Sequence, residues 1–282
     1  MSAVEINLVD SHFAHSDYCV PGVASHHVVW LRDARLPDVP TVITHEDMYR
    51  FDYRGVPKHY RFGLLLESQS VIPRVYSRVQ RVIPDYELVF THSEDLLTRF
   101  PNTRWIPGGG VWVGGTYAGG EIELTPKSRQ VSMLTSNKLQ TSLHRRRYLW
   151  ATRLERSAPE VDVYRQRMRT DSTISVHDTL RDYRYSIVIE NFIDDRYFTE
   201  KVLNCFATGT VPIYLGARRL GDYFDPHGFI TFTNWSDLRK RVLPSLSEGD
   251  YLRRLPAVRD NFDRVLEYRS VEDYIYRHYL AT

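Results

Sequence analysis

Two cysteines, Cys19 and Cys205, are all that 282 residues contain. Far apart in the chain, they support neither a disulfide framework nor a Cys-based zinc site. Cys205 lies in an apolar stretch and reads as a buried thiol. Missing too is any apolar run of the roughly 20 residues that a bilayer-crossing helix needs. The opening Met-Ser-Ala-Val-Glu-Ile-Asn has neither the basic start nor the apolar core of a secretory signal, so a cytoplasmic protein is expected, with peripheral membrane contact left open. Charge of one sign is not in excess: 37 Lys and Arg face 35 Asp and Glu, a formal +2. A nucleic-acid partner would call for a clearer basic surplus. No internal repeat of fixed period is visible. The histidines, His26-His27 included, lack metal-ligand spacing.

What is present is an ordinary globular composition. Hydrophobic residues make up 42% and charged residues 26%, which argues against disorder and for one large domain or two modest ones. Val4–Val9, His27–Leu31, Thr41–Thr44 and Phe62–Glu67 read as strands. Pro73–Val82 reads as a helix with Pro in its first turn, Leu88–Phe90 as a strand, and Ser93–Phe100 as a helix capped by Ser93. Alternation of strands with helices predicts parallel α/β sheets. From Trp105 to Gly120 the pattern breaks at Pro-Gly-Gly-Gly and two further Gly-Gly pairs, which predicts a loop near a domain boundary. Their spacing fits no Walker or dinucleotide fingerprint. Strand Gln130–Ser136, the basic helix Arg145–Arg156 and strand Val161–Tyr164 open a second α/β half. We therefore expect domains at 1–125 and 126–282.

The densest chemistry lies further on. Tyr185-Ser-Ile-Val-Ile-Glu190 is an apolar run ending in a carboxylate. A helix is predicted over Tyr197–Thr208, stopped by Gly209, and a second strand over Val211–Gly216. The loop 191–196 then sits at the carboxyl end of a strand, where ligands of open α/β sheets bind. Tyr197, Glu200 and Lys201, at i, i+3 and i+4, would project from one side of the first turn. An ammonium suits a phosphate, a carboxylate suits ribose or sugar hydroxyls, and a phenol can donate or stack. The start of the helix would add backbone N–H groups for a diphosphate. A plain solvated face has the same spacing.

The run Ile189-Glu-Asn-Phe-Ile-Asp-Asp-Arg-Tyr-Phe-Thr-Glu-Lys201 resembles the Phe-Glu-Asn…Tyr-Val-Thr-Glu-Lys signature of glycosyltransferase family 10, the α1,3-fucosyltransferase family. The resemblance continues through Gly209-Thr-Val-Pro-Ile-Tyr-Leu-Gly216 and Asp222-Tyr-Phe-Asp-Pro-His-Gly-Phe-Ile230. It implies a GT-B fold, α/β with two Rossmann-like domains and the active site in the cleft between them. It further implies an inverting transfer of a sugar, L-fucose by the family norm, from a GDP-sugar to a glycan hydroxyl. Tyr197, Glu200 and Lys201 would hold the GDP part, with Asn191 close by. The Ser136-Asn137 strand end, followed by Arg147 and Leu154, is similar to the family's diphosphate-contacting helix, although Ala151 replaces an aromatic; Arg145 and Arg146 compete with Arg147 for that role. Leu65-Leu-Glu67 resembles the strand end that carries the family's proposed catalytic base, with its Gly and Asn absent, and Glu67 is the candidate. No cofactor is required on this reading, with a divalent metal at most stimulatory, and Asp194-Asp195 reads as solvated loop rather than metal site. Phe192-Ile-Asp-Asp-Arg196 is bulkier and more charged than the family's usual small residues, and the N-terminal half matches poorly. A transferase using another nucleotide-sugar, or an inactive GDP- or glycan-binding protein of the same fold, are the alternatives.

Overall fold

Short runs rich in β-branched and aromatic residues, buried on both faces in the central strands, build two parallel sheets. The computed structural model describes residues 3–11, 17–32, 38–53, 55–166 and 175–281. Contacts divide the chain into two units, Met1–Gly110 with Tyr268–Thr282, and Val111–Glu267. Residues 111–125, expected with the first half, thus fall in the second unit, and the C-terminal segment falls in the first. Local hydrogen bonds account for both. Asn204 Oδ1 accepts from the N–H groups of Trp112 and Val113 at 2.8 and 3.1 Å. Glu272 Oε1 accepts from Cys19 N at 2.7 Å, and Asp273 Oδ1 from His26 N and His27 N at 2.9 and 3.0 Å.

The first unit carries strands β1 (Val4–Val9), β2 (Val28–Arg32), β3 (Thr41–Thr44), β4 (Arg61–Leu65), β5 (Leu88–Thr91) and β6 (Thr103–Trp105). They are ordered β2-β1-β3-β4-β5-β6, and each pairing is parallel. Helices α1 (Asp47–Arg50), α2 (Pro73–Val79) and α3 (Glu94–Arg99) lie in the crossovers. Ile43, Leu65, Tyr76, Val79, Tyr86 and Val89 pack into one core. Strand β4 stops at Leu65, two residues short of the expected end, so Glu67 belongs to the turn beyond it. Ser93 occupies the cap position of α3, but its side chain makes no cap hydrogen bond among the described residues.

The second unit carries β7 (Arg129–Ser136), α4 (Ser142–Ser157), β8 (Val161–Gln166), β9 (Tyr183–Ile189), α5 (Glu200–Phe206), β10 (Val211–Leu215) and β11 (Ile230–Thr231). The order is β11-β10-β9-β7-β8, again parallel at each pairing. Short helices α6 (Trp235–Asp237) and α7 (Leu243–Ser245) lead to the long α8 (Glu248–Val265), and α9 (Val271–Ile275) follows in the first unit. Val131, Met133, Trp150, Leu154, Ile187 and Ile213 form the centre of the second core. The chain leaves β7 for the edge strand β8 and then crosses to β9 on the other side. Loops leaving β7 and β9 therefore diverge, and such a switch point is where open α/β sheets bind ligands. After α5, Gly209 takes φ +68°, the left-handed conformation that glycine accepts without strain. No helix among the described residues is long and apolar enough to cross a membrane.

Candidate active site

Strand β9 is central and buried, and its apolar run delivers a carboxylate into the interior at its carboxyl end. Glu190 is fully buried at 0% exposure. It accepts from Thr199 N at 3.0 Å and from Thr199 Oγ1 at 3.0 and 2.8 Å, one bond to each carboxylate oxygen. Its Oε2 also lies 3.3 Å from Lys201 Nζ. Burial raises the pKa of Glu190, against the pull of Lys201 and the Thr199 bonds.

Thr199 is the N-cap of α5, so one side chain both starts the helix and holds the carboxylate. Lys201 Nζ donates to Thr199 Oγ1 at 2.9 Å and to Glu200 Oε1 at 2.9 Å. With Glu190 these make three partners for the three protons of an ammonium. Desolvation works against the Lys201 charge, but Glu190 and Glu200 outweigh it and raise its pKa. Burial likewise opposes ionisation of Glu200, and Lys201 reverses the balance and holds it below the usual carboxylate range.

Helix α4 brings the second cation. Its first turn is closed by a reciprocal box in which Thr141 Oγ1 accepts from His144 N at 3.0 Å and His144 Nδ1 accepts from Thr141 N at 3.3 Å. The Thr141 hydroxyl also donates to the Asn191 carbonyl at 3.1 Å, tying α4 to the loop after β9. One turn on, Arg147 is buried while Arg145 and Arg146 are exposed. Arg147 donates to the Ile189 carbonyl at 3.2 Å and to Ser136 Oγ at 3.3 Å. Its buried Nε has no hydrogen-bond partner among the described residues. Burial lowers its pKa, and Glu190, Glu200 and Tyr197 act in the opposite direction. His144 is pushed down to about 4 by burial and then by Arg147, Lys201 and Lys138. Burial is the largest of these causes, and the three cations add to it.

Five of the six expected site residues thus gather in the second unit: Arg147, Asn191, Tyr197, Glu200 and Lys201. One expectation needs correction. Helix α5 begins at Glu200, not Tyr197, and the Tyr197 side chain is buried at 1% exposure, edge-on to Phe192 at 6.1 Å. It does not share a helix face with Glu200 and Lys201, because Thr199 claims the cap. The loop 191–196 is pinned to the loop after β10: Arg218 N and Arg219 N donate to the carbonyls of Asp194 and Asp195 at 3.1 and 2.9 Å. Asp195 pairs with Arg218 at 2.9 Å.

Glu67 belongs to the first unit. Its carboxylate accepts from Ser68 N at 3.0 Å. The turn that carries it is held by His45 Nε2, which accepts from Leu66 N and Glu67 N at 3.3 and 3.1 Å, and by the Tyr76 hydroxyl, which donates to the Glu67 carbonyl at 2.9 Å. His45 adopts φ +44°, a rare conformation for a side-chain-bearing residue. His92 Nε2 lies 3.2 Å from the Tyr76 hydroxyl, and burial lowers its pKa to about 4.

Sequence reasoning missed Glu190, Thr199, His144, His45 and His92 as parts of these sites. For Thr199 a signal existed, since a threonine directly before Glu-Lys is a cap candidate. The Thr141–His144 box escapes because the usual fourth residue is Glu or Gln.

Residues 124–275 match the sequence pattern described as glycosyltransferase family 10 (fucosyltransferase), C-terminal part. The chain belongs to glycosyltransferase family 10. Among family-10-like relatives, an α-(1,4)-fucosyltransferase of Arabidopsis thaliana is 31% identical over 65 residues, which cover 23% of this chain and 16% of that protein. A crystal structure of an α1,3-fucosyltransferase aligns with 94% of this chain and 88% of its own, at a TM-score of 0.52 and 12% identity. That likeness is one of fold, the α/β class of GT-B transferases. Every residue of the Glu190–Lys201 cluster lies inside the family-10 segment.

Proposed function

We propose that this family-10 chain transfers L-fucose from GDP-fucose to a glycan hydroxyl, with inversion at the anomeric carbon. The observation that carries the reading is the pairing of Arg147 and Lys201 at the switch point of the family-10 unit. There a buried guanidinium retains an Nε–H without a partner among the described residues, and burial, followed by three cations, lowers the pKa of a neighbouring histidine. A diphosphate would supply an anionic oxygen to the Arg147 Nε–H. Arg147 and Lys201 would hold the diphosphate and stabilise the charge that develops on GDP as the glycosidic bond breaks, the largest electrostatic demand of the step. Glu200 and Asn191 would take ribose or sugar hydroxyls, and Tyr197, buried, would form the wall of the pocket. Glu67 would remove the acceptor's proton as general base. With two protein cations at the diphosphate, the proposed step needs no metal.

Thermal stabilisation by GDP, GDP-fucose, GDP-mannose, UDP and UDP-glucose tests this, because a ligand specific to the folded state raises its stability. Each is measured with and without a chelator. Stabilisation by the GDP compounds alone, unaffected by chelator and lost in Arg147→Ala and Lys201→Ala, is the expected result. A shift with UDP but not GDP would overturn the donor assignment. No shift with any nucleotide would remove the donor site altogether.

A further inference from the structure

Two carboxylates converge on the single ammonium of Lys201, and they differ in how firmly they are held. Glu200, on the first turn of α5, keeps 21% of its side chain exposed and pairs with Lys201 at 2.9 Å. Glu190 is sealed at 0%. Its two oxygens are fixed by the backbone N–H and the hydroxyl of Thr199, independently of Lys201. The chain after β10 closes the other side. A Cβ on Gly216 would sit 2.6 Å from Glu190 Cγ and 2.3 Å from Tyr214 Oη, so the backbone passes directly against the carboxylate. Glu190 is thus enclosed, whereas Glu200 remains partly open to solvent.

We propose that Glu190 is a positioning residue: locked by Thr199, its carboxylate holds the Lys201 ammonium in place as a permanent counter-ion, while Glu200 is the exchangeable partner that gives way to a diphosphate oxygen. This rests on the donor-site reading above. Three ammonium protons then have three acceptors in either state, Glu190 and Thr199 in both and Glu200 or a phosphate oxygen in turn. Arg147 lies within electrostatic reach of the same two carboxylates.

The arrangement makes a prediction opposite in sign to simple charge counting. Removing a negative charge beside a diphosphate site should tighten anion binding. If Glu190 positions Lys201, Glu190→Gln instead weakens GDP by about tenfold or more, in line with the loss of a charged hydrogen bond. Calorimetric titration of GDP into wild type, E190Q, K201A and the double variant measures this. The double variant is expected to bind no more weakly than K201A alone, because Glu190 acts through Lys201. NMR titration of the Lys201 ammonium supplies a ligand-free readout, with its pKa expected to fall in E190Q. Should E190Q not fold, Thr199→Val is expected to weaken GDP in the same way, and Thr199→Ser to restore it. Unchanged or tighter GDP binding in E190Q, or additive effects in the double variant, would overturn the inference while leaving the donor site standing. If K201A does not affect GDP at all, the donor reading fails, and an unchanged Lys201 pKa in E190Q would then separately sink the positioning role.

Discussion

The turn that carries Glu67 follows β4, and the cluster around Lys201 gathers between the end of β9 and the start of α5, but the two are built from opposite materials. Around Glu67 the backbone is gripped by neutral groups: His45 accepts two N–H bonds, and the Tyr76 phenol donates to a carbonyl. Around Lys201 the grip is ionic, with Glu190, Glu200 and Arg147 within one electrostatic cluster. Neutral acceptors fix a backbone without biasing the charge of the residue it carries. An anion site must retain positive charge in the interior, and buried countercharges are needed to keep its cations ionised.

Breaking the ionic region should have the largest effect. Lys201→Met strips Glu190 of its ammonium while leaving it sealed from water. A loss of about 3 kcal/mol in unfolding free energy is expected, since an uncompensated buried charge is left behind. Adding E190Q in the same chain should recover most of it. His45→Ala, by contrast, leaves two backbone N–H groups without their acceptor and should cost about 1–3 kcal/mol, with nothing recovered by neutralising a neighbour. Urea unfolding of the three variants checks both halves. A Lys201→Met chain as stable as wild type would mean that the cluster is not the closed ionic system described here.

Two buried histidines sharpen the contrast by pH. His92 and His144 both sit near pKa 4, below the ordinary 6.5. As pH falls through 6.5 the unfolded chain takes up protons that the folded chain refuses until about pH 4. Stability is therefore fully present above pH 6.5 and is lost between 6.5 and 4, by at most about 1.4 kcal/mol per pH unit for each histidine. Glu190, whose pKa is raised, acts with the opposite sign: the folded chain holds its proton longer, so its contribution falls as pH rises past the ordinary carboxylate value. The regions separate when GDP is added. His144 is suppressed in part by Arg147, Lys201 and Lys138, so a diphosphate that offsets those charges should raise its midpoint. For His92 burial is the principal cause, opposed by backbone hydrogen bonds from the turn around Glu67, and its midpoint should not move. Imidazole proton shifts followed against pH, with and without GDP, decide this. Equal movement of both, or of neither, would remove the basis for treating His144 as a neighbour of the anion site.

How much of this was legible in the sequence follows the range of the interactions. The strands around Val4–Val9 and Thr41–Thr44 and the β9–α5–β10 unit were readable because apolar runs and turn residues are local signals. Tyr197 was misplaced because helical spacing fits one register as well as the next, and only the Thr199 cap fixes where α5 begins. Glu190 looked like the end of a strand, since the ammonium that gives it a role is 11 residues away and meets it only after the helix turns back. His45 and His92 gave no signal: their partners lie 16 to 22 residues off in sequence. The C-terminal return to the first unit was invisible too, because Glu272 and Asp273 reach partners about 250 residues earlier.

The smallest contrast concerns helix caps. Ser93 and Thr141 both stand at the cap position of a helix, yet of the two only Thr141 makes its cap bond, with a second bond to the Asn191 carbonyl. Thr141→Ala should cost about 1–2 kcal/mol, and Thr141→Ser should restore most of that. Ser93→Ala should stay within about 0.5 kcal/mol, since no cap bond is lost. The Thr141 effect should also reach the proposed anion site, because the hydroxyl joins α4, which carries Arg147, to the loop that follows Glu190. GDP affinity is therefore expected to fall in Thr141→Ala and to remain at the wild-type value in Ser93→Ala. If the two substitutions cost the same stability and neither alters GDP binding, Thr141 is only a helix cap, and the bond to Asn191 contributes nothing to holding Arg147 beside Glu190.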